Sequence, residues 1–545
     1  MKNFMDMLQE TQNRNNNLST TENGAISFKS TGKALLDLNF SVPQLRNLST
    51  QDLWEKWDSA LRDDSELALR WLFFLRDVRL GLGERDTFRR ILVEMSKRYP
   101  REMARLINTY DLTNVGFEVI PFYGRWDDLI FMIDEPEVPN EIKSKIYQVI
   151  SFQLNRDIRH MTERRYVSLL GKWLPTLTSH TASVRKLARK ICKKIGLMET
   201  KYRHIVSDLR QYINLTERQM SDGEWNSIPY QMVPSRAMYT YNKAFMKHDG
   251  ERYGDYITKV LESKSRIHSG TLYPHEIVHT MKALMCLRPS EENKVTMNTM
   301  QGLWMNLPKI DASNNQGTIV VRDGSGSMTY DLNGKYGKAC ALDVADAMSI
   351  YFAEQLTGPF RNQLITFSNK PQIIQLKNGG TLKEKLETLN EYDDMTNTNI
   401  QAVFELILKT AVRNDLHGDE MPSNILIISD MEFDAAVLPN HSTNPLTQTL
   451  FETISQEYKQ CGYKLPRIIF WNVMSRSGTI PMTENELGVC LISGFSQNVA
   501  EMVMSGETDP YKCMVDQIMS TRYDPISVAL GYMPGEKHDM SNINQ

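Results

Sequence analysis

Asp323, Ser325 and Ser327 occupy alternate positions of one Gly-Ser turn, in the run T-I-V-V-R-D-G-S-G-S-M that covers residues 318–328. Three oxygen side chains on a single loop suit a hard divalent cation, which prefers carboxylates, hydroxyls and water. One loop does not complete a coordination sphere. Two other stretches offer oxygens in a matching setting. Met395-Thr396-Asn397-Thr398-Asn399 precedes a helix expected to begin at 400, and Ile427-Ile428-Ser429-Asp430 is a second apolar run that ends in an acid. The expected metal set is Asp323, Ser325, Ser327, Thr398 and Asp430, and the expected ion is Mg²⁺ or another divalent cation such as Mn²⁺ or Ca²⁺. Arg322, just before the first acid, would bring a positive charge to this site and weaken the metal.

Other chemistries compete for these residues. A phosphatase of the haloacid-dehalogenase type needs a second acid two residues after the first, where this chain has Ser325. A serine-hydrolase elbow needs G-x-S-x-G, and the residue two before Ser325 is Asp323. His275-Glu276-Ile277-Val278-His279 fits H-E-x-x-H, the helix of zinc proteases. A third ligand is needed there. Lys282 and Met285 stand where the extended motif has Gly and His, leaving Glu291 or Glu292 beyond a Pro-Ser turn. A zinc-dependent hydrolase using His275 and His279 is therefore an alternative expectation.

A third group of residues has the chemistry of polyanion binding. Arg185, Lys186, Arg189, Lys190, Lys193 and Lys194 lie opposite an apolar helical stripe at 184, 187, 188, 191 and 195. Arg156, Arg159, Arg164, Arg165, Lys172, Lys201 and Arg203 are close in sequence, with Arg210 following and Tyr166, Trp173 and Tyr202 interleaved. Cations for phosphates beside rings for bases suit single-stranded or structured RNA. The plainer reading of the same run is a solvated helix face. Two further clusters, residues 79–86 and 122–128, read as inter-helix packing around an Arg–Asp pair, with Asp127 and Asp128 in a helix first turn, or else as an RNA-facing surface.

These side chains need elements to hold them. Residues 1–31 are polar and read as a mobile tail, or a strap over the next module. From about 49 to 303 helical periodicity dominates: Ile142, Ile146, Val149, Ile150 and Leu154 keep one face, and Asp63-Asp64-Ser65 is a helix start signal. Short polar links between such helices describe an α-solenoid or large bundle. Residues 304–316, rich in Pro, Asp, Ser and Asn, read as a link. Strands are then expected at 318–322, 363–367, 372–376, 424–429, 467–473 and 488–493, and helices at 338–355, 400–413 and 447–460. This alternation means a doubly wound, mainly parallel sheet, whose ligands bind at the C-terminal strand ends. The Asp323 loop is at such an end.

The 545 residues are enough for two or more domains, and the net charge of −3 is unevenly spread. Residues 1–300 carry 45 Lys and Arg against 37 Asp and Glu, and residues 301–545 carry 18 against 29. A basic first part suits a polyanion and an acidic second part a cation. The six cysteines form no C-x-x-C pair, so no disulfide framework or structural zinc is expected. No apolar run reaches membrane-spanning length and the N-terminus is unlike a signal peptide. A monomer in the cytoplasm, away from membranes, is the expectation.

The metal set, D-x-S-x-S with a later Thr and Asp, resembles the metal-ion-dependent adhesion site of von Willebrand factor A domains. That resemblance implies serines and a threonine on the metal, acids bound directly or through water, and one position open to water or a partner's acidic group. G-L-G-E-R-D-x-F-R-R, Y-G-R-W-D-D-L, K-Y-R-H-I-V-S-D-L-R, L-Y-P-H-E-I-V, D-G-S-G-S-M, S-D-M-E-F-D and L-I-S-G-F-S resemble a family of phage, bacterial and plant proteins, from about Asn23 to Met533. A phage-encoded chain would work in the host cytoplasm. The order of modules is similar to the TROVE-type Ro ribonucleoproteins, whose helical ring binds small non-coding RNA. The implied fold is a HEAT- or TROVE-like helical solenoid or ring (32–303), a link (304–316), a Rossmann-like von Willebrand factor A domain (317–535) and a tail (536–545). The implied function is non-enzymatic RNA binding, by a Ro-like ribonucleoprotein that takes small or misfolded non-coding RNA. The alternative is a protein scaffold whose metal captures a partner's acidic side chain without RNA.

Overall fold

The computed structural model describes residues 4–531 except 108, 111–115, 118, 311–316, 333–338, 368–369, 393–398 and 436–448. The chain forms two compact units, one from residues 1–48 with 257–517, the other from 49–256 with 518–545. No helix among the described residues is long and apolar enough to cross a membrane.

The first unit is built on a six-stranded sheet. Its strands are β1 (Thr318–Asp323), β2 (Gln363–Phe367), β3 (Ile373–Gln375), β4 (Asn424–Ser429), β5 (Arg467–Asn472) and β6 (Val489–Ser493). Their order across the sheet is β6-β5-β4-β1-β2-β3. All neighbours run parallel except β2 and β3. β1, β4, β5 and β6 are buried along their whole length, as expected of strands covered on both faces, whose sequences read as unbroken apolar runs. From β1 the chain builds outward to β2 and β3, then returns to place β4 on the other side of β1. The crevice between the C-terminal ends of β1 and β4 is thus the switch point of the sheet. Helices Ala341–Gln355, Ile400–Arg413 and Leu450–Gln460 follow the expected positions, the first and last starting three residues later.

Parts of this unit were not expected in it. Residues 4–31, expected as a mobile tail or as a strap over the next module, form a helix and a hairpin within this unit. Helix Phe4–Asn17 leads into a hairpin of Leu18–Thr20 and Ile26–Phe28, which bridges to Asp434 through Gly24 and to Ile480 through Phe28. Thr21 Oγ1 donates to Phe433 O at 2.7 Å. These residues hold on by backbone pairing rather than apolar area, so hydropathy did not reveal it. Residues 32–48 and 257–303, expected with the helical module, also belong here. Helix Pro274–Met285 faces helix Ala341–Gln355 through ion pairs: Lys282 Nζ reaches Asp343 at 3.1 Å and Asp346 at 2.5 Å. The expected link at 304–316 does not mark this division, and residues 311–316 lie outside the described set.

The second unit is helical among its described residues, apart from the short strand pair Thr109–Tyr110 and Gly116–Phe117. Asp64 caps helix Ser65–Arg76, accepting from Leu67 N, as the start signal predicted. Ile142, Ile146, Val149, Ile150 and Leu154 are all buried. Residues 518–531, expected in the α/β domain, close this unit instead. Arg70 binds both Glu66 and Asp524 at 3.0 Å, and Tyr523 stacks on Tyr123 with centroids 5.4 Å apart.

The 122–128 cluster proves to be inter-helix packing. Arg125 precedes helix Trp126–Asp134, and Asp128 in its first turn accepts from Arg125 N. Asp128 also takes Arg76 Nε at 2.9 Å and Arg89 Nε at 2.8 Å. Gly124 is required: a Cβ there would lie 2.4 Å from Asp128 Oδ2. Asp128 is fully buried and Arg76 nearly so. Asp128→Ala, which strands these guanidiniums, is expected to cost about 3–5 kcal/mol of stability, read from urea unfolding. A loss below about 1 kcal/mol, the worth of an exposed pair, would refute this role.

Candidate functional site

β1 delivers Asp323 to the switch point, and the turn after it folds back on the acid. Ser325 N donates to Asp323 Oδ1 at 2.9 Å, and the Ser325 and Ser327 hydroxyls are 3.0 Å apart. From β4, Ser429 Oγ donates to Asp323 Oδ2 at 2.6 Å. Asp430 accepts from Glu432 N at 3.2 Å and from the Ser327 hydroxyl. Met431 between them has φ of 64°, a left-handed conformation that non-glycine residues seldom adopt and that clusters at functional sites. The structure thus brings together Asp323, Ser325, Ser327 and Asp430. Thr398 lies outside the described residues.

Both acids are fully buried. Burial first, then the charge of Asp430, pushes the Asp323 carboxyl well above the usual carboxylate range. Burial also raises Asp430, against the pull of Arg476 and the Ser327 hydroxyl. Two carboxyls and two hydroxyls in mutual contact are the donor chemistry of a hard divalent cation. Among the described residues no group of three His, Cys, Asp or Glu is placed to hold a metal, so a cation here would depend on the serines.

Arg322 does not supply the positive charge at this site. Its buried side chain binds Asp346 on helix Ala341–Gln355. The neighbouring cation is Arg476, in the segment after β5: its Nη1 is 3.0 Å from Asp430 Oδ2, its Nε donates to Glu22 at 2.7 Å, and its guanidinium lies over Tyr330 at 5.2 Å. It stands in for an ion on Asp430. Buried Glu432 arranges this side. One carboxylate oxygen takes Arg476 N and Ser477 N, both at 2.7 Å, and the other takes Glu22 N at 2.9 Å. Sequence reasoning missed Arg476, Glu432 and Glu22; the available signals were the turn S-R-S-G-T after an apolar strand and the second acid two residues after Asp430.

The H-E-x-x-H residues are otherwise engaged. The buried His275 ring stacks on Tyr273 and meets the Phe495 ring at 5.1 Å. Glu276 turns back to accept from Tyr273 N, capping its helix. Glu291 and Glu292 lie in the exposed first turn of helix Glu291–Met305. His279 Nδ1 is 2.8 Å from Asp343 Oδ2, and this hydrogen bond raises its pKa. Burial alone would raise Asp343, but His279 and Lys282 hold it down at about 2. A raised histidine contributes stability that is complete below about pH 6.5, its unfolded value, and fades as pH rises through the folded value. Asp343 adds stability above about pH 4 that is lost toward pH 2. His279→Gln should therefore lower the urea midpoint most near pH 5 and least near pH 8. A deficit that does not vary with pH would refute the pairing.

The basic residues divide into two groups. Arg185 Nη1 holds the carbonyls of Ser179 and His180, and Lys190 Nζ holds Ile133 O at 2.9 Å, at the end of helix Trp126–Asp134. Lys172 pairs with Glu217, Arg165 with Glu163 and Arg189 with Glu199. Arg210 is spent on the carbonyls of Gly171, Lys172 and Leu174. In contrast, Arg159, Arg164, Lys186, Lys193, Lys194, Lys201 and Arg203 are exposed, and Arg156 is half-buried. Of the expected rings only Tyr166 is available, at 83 % exposure. Tyr202 is buried with its hydroxyl on Pro175 O, and Trp173 lies under Arg125. Phe152, not anticipated, is 58 % exposed and lines a groove of about 520 Å³ with Tyr147, Asn155 and Lys194.

Fold and site define a mixed α/β protein with an oxygen-rich crevice at the switch point of a largely parallel sheet, joined in one chain to a helical unit. The chain belongs to the family described as domain of unknown function DUF2828, which it matches over residues 21–133 and 132–318. Residues 317–524 match a second family, domain of unknown function DUF7788. The two matches meet where β1 begins. The chain is also 26 % identical over 520 residues to an uncharacterised protein of Acanthamoeba polyphaga mimivirus, covering 90 % of this chain and 85 % of the relative.

Proposed function

We propose that this protein is a non-enzymatic RNA-binding protein of the cytoplasm, acting as a monomer. Its helical unit, read as TROVE-like HEAT-type repeats, takes small non-coding or single-stranded RNA. Its α/β unit, read as a von Willebrand factor A domain, carries a Mg²⁺-type adhesion site. The observation that carries the RNA reading is the group of exposed cations with no ion pair among the described residues: Lys186, Lys193 and Lys194 on helix Ala182–Lys194, with Lys201 and Arg203 on the next helix. Cations not spent within the fold are free to displace counterions from a phosphate backbone, and exposed Tyr166 and Phe152 offer stacking faces.

At the crevice, Asp323, Ser325, Ser327 and Asp430 would hold the cation. The bound ion would supply a Lewis-acidic position for water or for an acidic side chain of a protein partner. A second reading keeps this crevice and dispenses with RNA: the buried pair of carboxyls favours an adhesion site for a partner protein. The two readings separate on titration of single-stranded RNA into the purified protein at rising salt. Binding with log K falling linearly in log salt supports the first; absence of binding at low salt refutes it.

A further inference from the structure

Cys490 and Cys513 are separated by 22 residues in sequence and carry no recognisable motif, yet the fold brings their sulfurs to 3.6 Å. Cys490 is the second residue of β6, the edge strand, and Cys513 is in helix Pro510–Ile518. Both are buried. Both also point at one backbone oxygen, Met502 O, at 3.8 and 3.6 Å. Ser505 Oγ is 3.5 Å from the Cys513 sulfur, in a segment 505–509 whose residues are mostly exposed. Arg467 anchors this segment through Glu507 O and Val503 O. The remaining cysteines make no such pair among the described residues. Cys192 donates to Leu197 O, while Cys286 and Cys461 are exposed.

We propose that Cys490 and Cys513 are an oxidation site, closing to an intramolecular disulfide when the protein meets a hydroperoxide. Closing the bond requires the sulfurs to approach by roughly 1.5 Å, to a normal bond of about 2.05 Å. The two sulfurs share one hydrogen-bond contact at 3.6 Å, in which either thiol can be the donor. Cys513 lies against Ser505 of the mostly exposed 505–509 segment and is the sulfur nearer solvent, so it is the attacking thiolate, and Cys490 behind it the resolving thiol. The Cys513 sulfur attacks the terminal peroxide oxygen: an S–O bond forms, the O–O bond breaks, and the departing alkoxide or hydroxide leaves as alcohol or water with the proton that Cys513 gave up. The Cys490 sulfur then attacks the resulting sulfenic acid: the S–S bond forms, the S–O bond breaks, and hydroxide leaves as water with the Cys490 proton. Two thiols and one hydroperoxide give one disulfide, one alcohol (or water) and one water. The product ties the edge strand to a helix 23 positions further along the chain.

The test is hydrogen peroxide applied to the full chain, followed by alkylation in denaturant and peptide mapping. The expected result is a cross-linked peptide pair containing Cys490 and Cys513, a mass lower by roughly 2 Da from loss of two hydrogens, and reversal by dithiothreitol. The oxidised protein should melt a few degrees higher, because the bond restricts the unfolded chain. With Cys490→Ser the cross-link should vanish, and a sulfenic-acid probe should label Cys513. Wild-type mapping needs no variant, so misfolding of Cys490→Ser would leave the test intact. Full alkylation of both residues at a peroxide dose that oxidises Cys286 or Cys461 would overturn the proposal, as would cross-links confined to those exposed cysteines.

Discussion

Asp323→Asn is expected to abolish Mn²⁺ or Mg²⁺ binding, and Arg476→Ala to strengthen it. Asp323 is fully buried with Asp430 beside it, and its carboxyl is raised by burial and by the charge of Asp430, while burial raises Asp430 against the pull of Arg476. A divalent cation relieves both, so the acid contributes attraction that the amide lacks. Loss of a ligand should exceed the 10- to 100-fold typical of removing a ligand's hydrogen-bond partner. Arg476 acts in the opposite sense. Its guanidinium already neutralises Asp430 at 3.0 Å and is held there by Glu22. A metal must share Asp430 with it or displace it. Removing a positive charge a few ångströms from a dication at the edge of a protein should tighten binding by about 10- to 100-fold after screening. Affinity should also climb between about pH 5 and 8, because Asp323 has to lose its proton before it binds. Titration calorimetry with Mn²⁺ reads all three effects. Equal affinity in wild type and Asp323→Asn would remove the metal centre. Binding by wild type but no gain in Arg476→Ala would remove Arg476 as a competitor and leave the centre in place.

What could be read from the sequence follows from how local each cause is. β1, β4, β5 and β6 were legible because strands covered on both faces need unbroken apolar runs, and helix Ile400–Arg413 because its periodicity and its Asn399 cap lie within one segment. The acids at the ends of β1 and β4 followed from the strands. Arg476, Glu432 and Glu22 did not, since Glu22 reaches Glu432 across 410 residues by one backbone hydrogen bond. The thiol pair at Cys490 and Cys513 likewise depends on how a helix docks on an edge strand. The H-E-x-x-H spacing placed a helix over residues 275–279, but the partner of its polar side chains is set by Asp343 and Asp346, some 60 residues later. The charge run at 185–194 was visible as a run. Its division into cations that hold carbonyls and cations that face solvent was not, because both kinds repeat with the same helical spacing.

That division determines the second large effect. Lys186→Gln, Lys193→Gln and Lys194→Gln together are expected to weaken single-stranded RNA binding by about 10- to 100-fold near 0.1 M salt, and to reduce the slope of log K against log salt by about 2, since each neutralised phosphate contact is worth roughly 0.7 of slope on a single strand. All three side chains are exposed on helix Ala182–Lys194, so the triple variant should keep the unfolding midpoint of the wild type within about 0.5 kcal/mol. Lys190 is the matching control. Its ammonium satisfies Ile133 O at the end of a neighbouring helix, where a cation also meets the negative end of the helix dipole. Lys190→Gln should therefore lower stability and leave the salt slope nearly unchanged. Filter binding across a salt series, paired with urea unfolding of each variant, separates the two roles. An unchanged slope in the triple variant would take RNA off this face of the helical unit.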